Sequence, residues 1–439
     1  MGYLTNSGTG FMKDAVTTVS NVKSYLVNKT GYLVDAIRVG IGDFGQRVLD
    51  DGGTVEASAE AAASYREITK DIYDQASLVL FPSGYKESKV YSHKPVDGSG
   101  DFTYTRGTDT DTRVNEQGLI EKESSGLTDS MPRIDYTGGE PCILLEPQRT
   151  NLLPYSEDFS QWTIDTGVTL TSNITDLLSP DGTNNASKFT SSVSDKGFYK
   201  GGLSSTAQST RSIYLRGAVG GEQVTLKDPS GNGGSTSVTL TTSWVRYTHK
   251  TDSGSSYTGF YISDIASTDT IYAWGAQWEE GDGETSYIPT TGASATRAAD
   301  VFNTLTYADN FNSLTFYAEV EMKNVLRDSI TSAIRFGEQS GNNGSIRIFR
   351  SSASNPKRAV VIARNSSGGN VINYSATQDR VKIKLTYDST SPNGDWELFI
   401  NGQSEATGTS TDFNEFDTLE ISGVGGQARI YKMYIKNSI

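Results

Sequence analysis

The sequence predicts a mainly β protein: two antiparallel β-sandwiches preceded by a small, partly helical N-terminal segment. Three observations lead there. The composition, with 45 Gly, 23 Tyr and abundant Ser and Thr, suits many short strands joined by tight turns. The apolar fraction, 35%, is low and fits sandwiches in which half of each strand faces water. Beyond about residue 75, short strand-like runs recur between Gly-containing or Ser/Thr-rich turns. A chain of 439 residues is too long for one ordinary core and is expected to divide.

Residues 1–75 have a different period. Ala15, Val19, Val22 and Leu26 recur at helical spacing, and Gly31, Gly40, Gly42 and Gly45 then break it. A second helix is expected over 55–75, favoured by the Ala-rich start at 57–63. Its Ala61, Tyr65, Ile68 and Ile72 fit either a short coiled-coil seam or an ordinary amphipathic helix. Too short and Gly-broken for its own core, the segment is expected to dock on another protein or to trimerise.

Residues 76–150 read as a strand-and-turn connector, punctuated by Gly98, Gly107, Gly118, Gly126 and Gly138. Residues 151–300 hold the first sandwich, with strands expected at 186–190, 210–216, 223–227, 237–240, 245–250, 257–262 and 271–278. Along the last of these, Tyr272, Trp274, Ala276 and Trp278 alternate and are expected on one face. Residues 301–439 hold the second sandwich, with strands expected at 314–322, 329–336, 344–349, 358–364, 371–375, 381–387, 395–400, 418–422 and 429–436. Asn401-Gly402 reads as a hairpin turn, since both residues tolerate positive φ.

Net charge is −14 and unevenly spread. Residues 1–150 carry 15 Lys+Arg against 22 Asp+Glu, residues 151–300 carry 9 against 16, and residues 301–439 carry 14 against 14. An acidic front argues against binding nucleic acid through its phosphates. Cys142 is the single cysteine, so no intrachain disulfide is possible, which suits folding in a reducing cytosol. No apolar run approaches the ~18 residues of a membrane span, and no secretory signal is read at the N-terminus.

Three ordered blocks carry a resemblance. In the stretch 271–300, Gly275, Ala276, Gln277, Trp278, Glu279, Ser286, Tyr287, Ile288, Pro289, Thr290, Thr296 and Arg297 resemble the closing strand of carbohydrate-binding-module-like jelly rolls in bacteriophage virion proteins. Pro132, Arg133, Asp135, Tyr136, Leu144, Glu146, Pro147, Thr150, Asn151, Leu152, Ser156, Phe159 and Trp162 resemble the segment that precedes that jelly roll in phage tail and fibre proteins. Leu80, Pro82, Ser83, Gly84, Tyr85, Lys86, Asp97, Gly98, Phe102, Thr103 and Arg106 look like the region before that. The C-terminal pieces KIKLTYD, DWELFINGQ and RIYKMYIKN resemble a concanavalin A-like (laminin-G-like) sandwich, whose final strand returns beside its first. The resemblance implies a tail or head fibre in the virion, assembled in the host cytoplasm. Its implied partners are other virion proteins, through the N-terminal segment, and host surface polysaccharide. A capsid-decorating or tail-assembly protein without glycan contact is the alternative.

Catalytic signals are weak. Glu280, Asp282 and Glu284 form E-x-D-x-E, the spacing of laminarinase-type glucanases, and a retaining glycosidase needs two carboxylates about 5 Å apart. Gly281 and Gly283 interleave them, however, so a solvated acidic turn is expected and no enzyme. His93 and His249 are the only imidazoles, and no G-x-S-x-G is present. Calcium patterns at Asp97-x-Ser99-x-Asp101, Asp109-x-Asp111 and Asp181–Asn184 are incomplete, and no metal or other cofactor is expected. Sugar stacking needs exposed aromatic faces with polar neighbours, and Trp244, Tyr257 and Tyr261 are the candidates. Trp162, Trp274, Trp278 and Trp396 are assigned to the core.

Overall fold

The computed structural model describes residues 54–55, 70–86, 88–105, 110–122, 131–306, 313–323, 334–337, 345–350, 359–364, 370–375, 378–392, 394–410, 418–421 and 427–437. The expectations for residues 1–53 and for most of the helix at 55–75 lie outside these residues; the helix is described at Lys70–Gln75. The remainder is mainly β, in antiparallel sheets.

The first sandwich packs two five-stranded sheets face to face. One runs in the order Thr163–Ile164, Lys196–Lys200, Phe260–Ile265, Gln223–Lys227, Ser235–Thr239. The other runs Val168–Thr171, Ser187–Ser191, Thr270–Glu280, Ser209–Gly217, Val245–Thr251. Alternate residues of each strand point inward. Phe189 and Phe198 stack across the interior at 3.7 Å, beside Phe159, Ile213, Leu226, Phe260, Ile262 and Trp278.

The long strand Thr270–Glu280 corrects one expectation. Its register against Ser209–Gly217 shifts between Ser212 and Tyr214, opposite Gly275, whose φ is +62°. A side chain at Gly275 would press on the rings of Tyr214 and Tyr287. Such a bulge inserts a residue and reverses the inside–outside phase. Ile271 and Ala273 face the core before it, and Ala276 and Trp278 after it. Trp274 instead packs outside that core with Ile120 and Tyr287. The four alternating residues therefore do not share a face.

The second sandwich pairs an eight-stranded with a six-stranded sheet. The final strand Gln427–Asn437 lies beside the first, Leu314–Lys323, along ten paired positions. The Asn401-Gly402 turn, at φ +51° and +84°, joins Asp395–Ile400 to Gln403–Thr409. The segment 76–150 supplies strands to this sandwich. Ala76–Leu80 and Cys142–Leu145 both pair with Gln427–Asn437, and Ile134–Asp135 extends the edge. Phe102–Thr105 meanwhile pairs with Val301–Phe302. One continuous core runs from Leu78 and Phe102 through Ile143 to Phe316, Trp396 and Ile430.

Between the sandwiches lies a buried charge cluster built from the sequence blocks. Arg133 ion-pairs with Glu146 at 2.6 Å and with Asp300. Arg297 reaches the same Glu146 at 2.9 Å, and all four side chains are fully buried. Ser286 donates through both its backbone N–H and its hydroxyl to Glu146, and Gln427 donates at 2.6 Å from the second sandwich. Tyr104 donates its hydroxyl to Asp300. Burial alone would raise the Glu146 carboxyl, but Arg297 and Arg133 hold it well below the usual carboxylate range.

Candidate functional site: the outer face of the first sandwich

The three aromatic candidates are not brought together. Tyr257 precedes the strand Phe260–Ile265 rather than lying on it, and it is 2% exposed inside the core. It lies under the Arg211 guanidinium, 5.2 Å from its ring centroid, and donates its hydroxyl to the Asp252 carbonyl. No face of it is open to a sugar, so its selection is corrected: Gly259 breaks the alternation that sequence spacing assumed. Trp244 is half-buried against the Trp274 cluster and donates its indole N–H to the Leu178 carbonyl at 2.8 Å. It sits at the start of Val245–Thr251, in the sheet opposite the one that carries Tyr261.

Tyr261 stands on an outer face. Its strand neighbours Phe260 and Ile262 are fully buried, so alternation turns Tyr261 outward. The register places Thr163, Tyr199, Tyr261, Lys227 and Ser235 in one row across five strands. Tyr199 and Tyr261 meet edge to face at 5.4 Å, and both are half-buried. The Lys227 ammonium lies 5.0 Å from the Tyr261 ring centroid and 4.0 Å from Asp264. Tyr261 donates its hydroxyl to Asp165 at 2.5 Å. Burial and then the Asp165 carboxylate push the Tyr261 phenol well above its ordinary range, so it remains a neutral donor. Thr225, Ser237 and Ser263 continue the same face, with Thr225 and Ser237 hydroxyls 3.2 Å apart.

Gly197 sets the position of Tyr199. A Cβ there would lie 1.8 Å from the Ile262 carbonyl oxygen, and the register shifts between Lys196 and Phe198. The Gly197 N–H donates to the same Asp165 oxygen that receives Tyr261. Sequence reasoning missed Tyr199, Asp165 and Lys227. The signal was Phe198-Tyr199, an inward aromatic followed by an outward one, but Gly197 hid the strand.

The face offers two aromatic edges, a lysine, a fixed carboxylate and the exposed Ser235 and Ser237 hydroxyls, Thr225 and Ser263 being buried within it. That combination can stack against and hydrogen-bond a polyhydroxylated ring.

The catalytic expectations find other geometry. Glu280 ends its strand and accepts from Ser205, while Asp282 lies 3.9 Å from Lys250 in the following turn. Ser83 and His93 do hydrogen-bond at 2.7 Å, but both are about 1% exposed beneath Phe81. Burial, and then Arg211, push the His249 imidazole down to about 4. Among the described residues no three His, Cys, Asp or Glu side chains come together as a metal site. Asp97, Asp101 and Asp181 instead accept from nearby Ser and Thr groups.

No protein-family profile matches the chain, and no curated protein matches it. Solved structures that match include a Ruminococcus gnavus IT-sialidase CBM40 bound to α2,3-sialyllactose, at 14% identity and TM-score 0.23, over 30% of this chain and 78% of that one. A tandem CBM22-1–CBM22-2 from Paenibacillus barcinonensis Xyn10C matches at 10% identity and TM-score 0.23, over 66% and 97%. A bifunctional GH43-CE protein of Bacteroides eggerthii matches at 8% and 0.20, over 78% and 47%. Such distant likeness carries no argument about function, and the fold rests on the strand pairing itself.

Proposed function

We propose that this chain is a non-catalytic structural protein of a bacteriophage particle, a tail or head fibre whose first sandwich contacts host surface polysaccharide through the face around Tyr199 and Tyr261. The observation that carries the glycan reading is that tyrosine pair, set between Lys227 and Asp165 on a hydroxyl-rich sheet. The three sequence blocks support the particle. Recognition is shallow and each contact weak, so copies displayed together gain avidity. The N-terminal segment docks on other virion proteins, a trimer being the favoured assembly.

Tyr199→Ala with Tyr261→Ala should weaken adsorption of assembled particles to purified host polysaccharide while leaving thermal unfolding nearly unchanged. Tyr257→Ala is the contrast, since removing a buried ring costs about 3–5 kcal/mol. Unchanged adsorption by the double variant would remove the face from consideration. A purely structural role, as a capsid-decorating or tail-assembly protein, has one observation in its favour. Arg133, Glu146 and Arg297 belong to the sequence blocks and are buried between the sandwiches, where they couple parts of the fold rather than meet a ligand.

A further inference from the structure

We infer that the first sandwich carries a second saccharide site, a cleft at its loop end that takes a neutral sugar ring. The cleft has a volume of about 620 Å³, in the range of small-ligand sites, and shares no lining residue with the Tyr199–Tyr261 face. Tyr155, Glu157, Ser172, Asn173, Asn185 and Thr291 line it. Its existence does not depend on the sheet face being a site.

The floor of the cleft is fixed. Glu157 accepts from the Tyr287 hydroxyl and from the Asn185 amide, each at 2.8 Å. Asn185 in turn accepts from Ser179 at 2.5 Å. Burial holds the Glu157 carboxyl above its ordinary value. The rim is different. Among the described residues, the side chains of Tyr155, Ser172, Asn173 and Thr291 make no hydrogen bond, although they converge on one space. A pre-set floor beneath open donors and acceptors is the arrangement of a ligand site.

Backbone strain points the same way. Tyr155 has φ +61° and Asn173 has φ +53°. Left-handed backbone is uncommon for a bulky aromatic and persists where surrounding structure imposes it. Here the Trp162 indole N–H holds the Tyr155 carbonyl at 3.0 Å, and the Lys200 ammonium lies 5.2 Å from the Tyr155 ring centroid. The fold thus spends strain to present an aromatic ring beside amides and hydroxyls. Around the cleft Glu157, Asp158 and Asp181 outnumber Lys122 and Lys200, so the local charge disfavours uronic, sialic or phosphorylated sugars.

The test is saturation-transfer NMR on the intact protein with galactose, glucose and N-acetylglucosamine, and with glucuronate as the charged arm. Tyr155→Gly removes the ring and suits the existing φ, so the backbone should hold. Asn173→Gly is a second variant with the same advantage. We expect either variant to weaken binding of at least one neutral sugar about tenfold, at unchanged melting temperature. We expect that sugar to keep binding the Tyr199→Ala/Tyr261→Ala protein. The inference is overturned if no neutral sugar binds, if the sheet-face variant abolishes all binding, or if folded Tyr155→Gly and Asn173→Gly proteins bind as wild type. Glucuronate binding as tightly as galactose or glucose would overturn the assignment to neutral sugars. Loss of all binding in Tyr155→Gly alone would sustain the cleft and remove the sheet face.

Discussion

The two sandwiches close in different ways. Both sheets of the first are assembled from residues 163–280 alone, and its core draws on 152–278. The second borrows. Its eight-stranded sheet needs Ala76–Leu80, Ile134–Asp135 and Cys142–Leu145, which precede the first sandwich in the chain. The first sandwich is therefore an insertion between strands that belong to the second. A boundary drawn by sequence position separates residues that share one hydrophobic core.

That contrast can be broken in three ways, from the largest effect to the smallest. A fragment of residues 151–300 should unfold cooperatively on its own, whereas residues 301–439 alone should not, because the final strand loses its partners along one edge. Calorimetry of the two fragments decides it, and a cooperative transition in the C-terminal fragment would sink the insertion argument. Next comes Glu146→Ala, which leaves Arg133 without one of its two buried carboxylates and Arg297 without its buried partner. Breaking a buried pair costs about 3–5 kcal/mol, and denaturant unfolding should show the loss in the whole chain. A loss below 1 kcal/mol would mean the sandwiches are not coupled through this cluster.

The smallest effect is acid dependence. The folded Glu146 carboxyl lies below its ordinary value of about 4.3, so its contribution is complete above that pH and is lost as pH falls toward the folded value. Glu279 works in the opposite direction. Burial raises its carboxyl, so the folded state gains stability as pH falls through that raised value. Below about pH 4.3, Glu146→Gln should therefore flatten the decline in stability, and above about pH 4.3, Glu279→Gln should remove a gain that accompanies acidification. Identical slopes in urea titrations of the two variants would contradict both assignments.

Much of the strand inventory was legible because period-2 alternation and turn residues are local. Gln223–Lys227 and Asp395–Ile400 match their expected bounds, and most other strands agree to within a residue or two. Val168–Thr171 and Gln403–Thr409 were not expected, and two further misses share one cause. Lys196–Lys200 was hidden by Gly197, and the phase of Thr270–Glu280 was reversed at Gly275, because a bulge is set by the partner strand. The candidate site followed the same division. Tyr261 was found from alternation. Tyr199 and Lys227 join it only across strand pairs, and Asp165 through a hydrogen bond. Tyr257 was lost because Gly259 breaks the alternation before the strand and Arg211 lies over its ring, a contact no local pattern reveals.

By itself, the sequence determined the mainly β class, the closing hairpin at Asn401-Gly402 and the burial of Trp162, Trp278 and Trp396, since propensity and turn chemistry act over a few residues. Only the tertiary structure decided that Arg133, Glu146, Arg297 and Asp300 meet in one buried cluster and that residues 76–80 complete a sheet with residues 427–437. Apart from Arg133–Glu146, those contacts join distant parts of the chain, and no local pattern specifies which distant charge or strand edge will satisfy a buried group.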